Sequence, residues 1–200
     1  MSQEKTMLAY HNDPKIKEAI LTQLAEHRAA DQLVKGQYWE NGKGCAVACT
    51  VHSGDHMQYE ARFGVPVMLA RLEDCIFEGL PNNHAQEWPE RFMGAIRPGA
   101  DLSLVGWKFL HWILTDKDVN PGIAHPLVRK AVSQCADVIA SLANGASVKR
   151  SARSAASAAS AASAASAASA ASAASAAWSA AWSAAWKTMS NKLIALLKEI

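Results

Sequence analysis

The chain is predicted to be all-α, a compact helical domain followed by one long Ala/Ser-rich C-terminal helix, on three observations. Apolar residues recur at three- and four-residue spacing in most segments between residues 14 and 142, with polar residues off the stripe. Proline and glycine punctuate the chain where helices start and stop. Residues 154–177 read Ser-Ala-Ala eight times without a charge, a glycine or a proline, longer than the length at which isolated Ala-rich helices become marginally stable. No segment alternates apolar and polar residues with β-branched enrichment, and Val47–Val51 is the best, weak, strand candidate.

Asp13-Pro14 caps and opens a first helix expected over about 14–34, with Ile16, Ile20 and Leu24 on one face and Gly36 as its stop. Residues 37–44 read as a loop with aromatic anchors, and a short helix over 45–52 ends at Ser53-Gly54-Asp55. Pro66 opens a helix whose stripe is Val65, Leu69, Leu72, Ile76 and Leu80, while Arg71, Glu73, Asp74 and Glu78 fall off it and read as solvated. A helix over 82–96 starts firmly or kinks at Pro89. Asp101 is expected to cap a very apolar helix to Thr115, the central core helix, in which His111 reads as a hydrogen-bonded core residue. After the turn Asn120-Pro121-Gly122, Pro126 starts a helix with the face Val128, Val132, Cys135, Ile139 and Leu142, stopped by Asn144-Gly145.

The expected boundary lies at residue 148, with a globular domain over 1–148 and the low-complexity helix over 149–200. The first part carries 14 Lys/Arg against 17 Asp/Glu, the second six against Glu199 alone. Basic residues this sparse argue against nucleic acid as a partner. The uncharged stretch 154–186 is long enough to span a bilayer but lacks Leu, Ile, Phe and Val, so no membrane span is expected. The segment starting at Met1 has no apolar signal region, and the four cysteines show no dense spacing, which fits a cytoplasmic location.

In a helix a triplet repeat advances about 300°, so its Ser row walks around the circumference and the triplet region is a rod without a face. The following tetrads advance only about 40°, holding Trp178, Trp182 and Trp186 on one side. Met189, Leu193, Leu196, Leu197 and Ile200 continue within the same arc of about 100°. This seam must be buried by docking on the domain, by self-association or by a protein partner. An interfacial helix on a lipid surface is a weaker alternative, since few lysines support it.

The densest reactive set is Cys45, Cys49, His52 and His56, spaced Cys-x3-Cys-x2-His-x3-His. Cysteine and histidine are zinc ligands, but on one helix the four span about 16 Å, so a single zinc or iron site requires a bend at Ser53-Gly54. Alternatively Cys45, after Gly42-Lys43-Gly44 at a helix start, is a candidate nucleophile whose thiolate the free N–H groups favour. Against both stands inert packing, the commonest state of an apolar cysteine, with no cofactor. No phosphate-binding or dinucleotide-binding glycine motif is present.

Tyr38-Trp39, the block Asn41–Ser53, Ala70–Asp74 with Ile76–Asn82, and Gly99–Ser103 together resemble a group of uncharacterised alanine-rich proteins of bacteria and their phages. The blocks fall within residues 11–120, and the group's tails are likewise Ala-rich and Trp-punctuated, with Arg and Glu often where this chain has Ser. The resemblance implies a phage or mobile-element setting, acting on host machinery or defence, and no catalytic residue. The leading expectation is a non-enzymatic interaction or assembly protein using the Trp/Leu seam. The alternative is a metal-binding or thiol-dependent site at 45–56.

Overall fold

A computed structural model describes residues 7–120, 126–145 and 175–200. The described chain is helical, with isolated β-bridges and no strand. The Ser-Ala-Ala triplets up to Ala174, and the turn after Asn120, lie outside the described residues. No helix among the described residues is long and apolar enough to cross a membrane.

The helices are α1 (Pro14–Ala29), α2 (Ala46–Val51), α3 (Gln58–Phe63), α4 (Val67–Gly79), α5 (Asn82–Ala85), α6 (Trp88–Ala95), α7 (Val105–Thr115), α8 (Pro126–Ala143) and α9 (Ser175–Lys198). Two compact units are present. One comprises residues up to Ser103 together with Ser190–Ile200; the other is Leu104–Met189. These units part at 103/104 and 189/190, whereas the sequence places its boundary at 148.

In the first unit, Asp13 caps α1 by accepting from the Lys15 N–H. The helix stops at Ala29, five residues earlier than its pattern suggests, because Asp31 turns left-handed (φ 52°). Gln32 N–H then bonds the His27 carbonyl at 3.0 Å and Asp31 N–H the Arg28 carbonyl at 3.1 Å, the Schellman arrangement that satisfies the last turn. The chain leaves to pair Leu33 with Gly44, and between them Asn41-Gly42, both at positive φ, make the tight turn that brings Glu40 against Lys43.

The loop assigned to no element in the sequence contains α3, whose Tyr59 and Phe63 meet edge-on one turn apart. It ends at Gly64, where a Cβ would sit 2.1 Å from the Leu8 carbonyl oxygen, so only glycine fits. Helix α4 packs on α2, α3 and α6, and α1 lies across α6 and α2. Lys17 ties α1 to the end of α6, its ammonium donating to the Gly94 and Ile96 carbonyls at 2.7 Å each. The single helix expected over 82–96 is two, α5 and α6, with Pro89 in the first turn of the second.

The core of this unit centres on Tyr10, Leu24, Tyr59, Leu69, Phe77 and Trp88, all buried. Leu193, Leu196 and Leu197, from the end of α9, are also buried. Arg91 donates to the Asn191 side chain at 3.0 Å and Arg97 to the Ile200 backbone oxygen, fastening those last turns to the region around α6.

In the second unit α7 and α8 pack together. Asp101 does not cap α7; it accepts from Ser103 N–H in a turn, and the helix begins at Val105. Nor is α7 the central core helix. Val105, Gly106 and Phe109 are buried, but Trp107, Leu110, His111, Trp112, Ile113 and Leu114 are half-buried. Helix α8 ends at Ala143, before Asn144 and Gly145 (φ 80°), as its sequence predicts.

Candidate functional site

Cys45 sits at the N-cap of α2, 2 % exposed, its own N–H bonded to the Gln37 carbonyl at 2.7 Å. The residue before it has to be glycine: a Cβ on Gly44 would lie 2.4 Å from that of Ala48. Opposite runs α4, on which Asp74 and Glu78 stand one turn apart and share a face. The Cys45 sulfur and a carboxylate oxygen of each lie within 4.8 Å of one another.

The acids are held from outside. Gly36 N–H donates to both Glu78 oxygens at 3.0 Å. His56 Nε2 faces Asp74 Oδ2 at 3.4 Å, and the Tyr38 ring stands edge-on to that imidazole. Asp74 Oδ1 is buried without a hydrogen-bond partner. Burial pushes the Cys45 thiol well above its ordinary range, and the neighbouring Asp74 carboxylate pushes the same way. The thiol therefore keeps its proton at neutral pH when no cation is present.

Beneath this cluster lies a second polar layer. Glu73 is fully buried; Tyr59 Oη donates to its Oε2, Trp88 Nε1 donates to its backbone carbonyl at 2.9 Å, and Oε1 has no partner. Burial pushes the Glu73 carboxyl up to about 8, partly opposed by the Tyr59 bond, so it is largely protonated at neutral pH. The expectation of solvated acids along α4 is thus corrected at Glu73 and Asp74. Their helix is covered by α2, α3 and α6, so Glu73 is buried and Asp74 half-buried, while Arg71, Cys75 and Glu78 keep its exposed side.

The structure disperses the Cys45, Cys49, His52 and His56 set. Helix α2 has only six residues and ends at His52 in a left-handed conformation (φ 55°). Cys49 turns inward, its Sγ donating to the Gly44 and Gln32 carbonyls at 3.4 and 3.6 Å, and burial raises its pKa to about 12. His52 stacks on Trp39 with centroids 4.4 Å apart, and its Nε2 meets His27 Nε2 at 2.9 Å. The bend at Ser53–Asp55 forms, but it delivers His56 to Asp74.

A nucleophilic Cys45 also lacks its requirements. The group beside its sulfur is a carboxylate, which stands between thiol and imidazole, the reverse of the order that generates a thiolate. The cluster that does form, Cys45 with Asp74 and Glu78, needs α4 to lie against α2, and the sequence shows only that the acids are one turn apart.

The C-terminal seam divides in two. Leu193, Leu196 and Leu197 are buried and Ile200 half-buried, whereas Trp182 is 59 % exposed and Trp186 and Met189 are half-buried. Trp182 and Trp186 meet edge-on at 6.0 Å. The Trp178 side chain lies outside the described residues. Comparison with family models, curated proteins and solved structures gives no match.

Proposed function

We propose that the chain is a non-enzymatic helical interaction protein that associates through the Trp segment of α9 with a second copy of itself. The observation that carries this reading is the split seam: leucines buried at the end of α9, and an exposed Trp182 upstream on the same helix. An exposed Trp costs solubility unless something covers it, and Trp is among the residues enriched where interfaces concentrate their energy.

The tetrads favour a like partner. Trp178 and Trp182 are each followed by Ser-Ala-Ala, so bulky knobs alternate with recesses of small side chains. An identical helix offers the complementary relief, which is what a two-fold interface demands. The resemblance of the Asn41–Ser53 block supports a phage or mobile-element accessory role in the cytoplasm, with host machinery or defence as its context.

Light scattering of the full chain over a range of concentrations tests the reading. Concentration-dependent dimerisation is expected, weakened about tenfold or more by Trp182→Ser, with the helical circular dichroism retained. A monomer at every concentration, or a dimer indifferent to the substitution, would overturn it.

A further inference from the structure

We propose that Cys45, Asp74 and Glu78 bind a divalent first-row transition ion of zinc type, with His56 as the residue that orients Asp74. The site differs from the Cys/His set that the spacing suggested: of that set it keeps only Cys45 as a ligand and takes the other two from α4.

Three observations meet here. The three ligand atoms lie within 4.8 Å of one another. Ligands about 2.0–2.3 Å from one tetrahedral ion stand roughly 3.3–3.8 Å apart, so the cluster closes on an ion with shifts of up to about 1 Å. Asp74 Oδ1 is a buried carboxylate oxygen with no hydrogen-bond partner, a group that costs free energy unless a proton, a water or a cation satisfies it. Both acids also carry the outer contacts typical of metal ligands: the Gly36 N–H on Glu78 and the His56 imidazole on Asp74.

The donor chemistry selects the ion. Two carboxylates supply negative charge, offset in part by the Lys35 ammonium, which donates to the Leu80 carbonyl and also feels the Glu78 charge. A sulfur ligand disfavours magnesium and calcium, which prefer all-oxygen shells, and suits zinc or its neighbours. Binding removes the Cys45 proton, since the metal is bound by thiolate: the S–H bond breaks, the metal–sulfur bond forms, and the proton leaves to solvent. No electron is transferred. Three protein ligands leave the remaining coordination positions to water.

The test uses the full chain stripped with a chelator and titrated with Zn²⁺ by calorimetry in buffers of different ionisation enthalpy. One ion per chain and about one proton released are expected. Loading with Co²⁺ should give the near-ultraviolet thiolate-to-cobalt charge-transfer band. Cys45→Ser should abolish that band, and Cys45→Ser, Asp74→Asn and the surface change Glu78→Gln should each weaken Zn²⁺ binding about tenfold or more, while Cys49→Ser and His52→Gln leave it unchanged. The Co²⁺ spectrum of the unmutated protein keeps the proposal open to refutation even where a variant misfolds. Absence of stoichiometric binding, a Co²⁺ spectrum without the thiolate band, or binding that survives Cys45→Ser would overturn it.

Discussion

Helices α4 and α7 exchange the roles their compositions suggest. Helix α4 carries Arg71, Glu73, Asp74 and Glu78 in thirteen residues, yet Leu69, Ala70, Glu73, Ile76 and Phe77 are all buried. Helix α7 is far more apolar, yet only Val105, Gly106 and Phe109 reach full burial and two tryptophans stay half-buried. The difference lies in neighbours: α4 has α2, α3 and α6 around it, whereas α8 is the principal neighbour of α7 within its own unit. Hydrophobic composition sets how much a helix gains from cover, but the packing of other elements decides how much cover it receives.

The contrast can be attacked most strongly with tryptophans. Trp88→Ala, removing a fully buried indole beside α4, is expected to cost about 3–5 kcal/mol in urea denaturation, and Trp112→Ala on α7 less than half of that. Equal losses would mean that α7 is as well covered as α4. Leu197→Ala comes next, at about 2–4 kcal/mol, because its side chain is fully buried; a loss under about 0.5 kcal/mol would detach the end of α9 from the first unit's core. Tyr59→Phe should cost about 1–3 kcal/mol by leaving the buried Glu73 carboxyl without its one side-chain partner.

The smallest effect is one of pH. Burial, with His27 and Arg62 nearby, lowers the pKa of His52 below its ordinary 6.5, so the fold favours the neutral ring. The unfolded chain takes up this proton first as pH falls. His52 therefore contributes stability above about pH 6.5 that is lost on acidification, and His52→Gln should lose less of its urea midpoint than the parent between about pH 7.5 and about pH 5.5. An identical loss in both proteins would show that the ring is not the titrating group.

Much of the fold is legible along the sequence because its signals are local. Asp13-Pro14, Pro66, Pro126 and Asn144-Gly145 mark helix ends through caps and fixed φ angles that no distant residue has to supply. The early end of α1 is less visible, since a left-handed Asp31 is a conformation that Asp tolerates without announcing it. At the candidate site Cys45 stands out by its Gly-Lys-Gly approach, but its companions do not. Asp74 and Glu78 beside Arg71 look like any solvated helical charges, and only the placement of α4 against α2 turns them toward sulfur. His56 was visible as a candidate, but its partner was not: the turn at Ser53–Asp55 aims it at a residue 18 positions downstream.

The division of the first unit into two stretches of chain bears on how it is made. Residues 104–189 separate the stretch ending at Ser103 from its closing piece, Ser190–Ile200. At a synthesis rate of about 5–20 residues per second those 86 residues take roughly 4–17 seconds to translate. During that interval the nascent first unit lacks Leu193 and Leu197, and the apolar surface they cover faces water or a chaperone. The unit is completed after translation of its larger part, and a ribosome stalled within the Ser-Ala-Ala run would hold it unclosed.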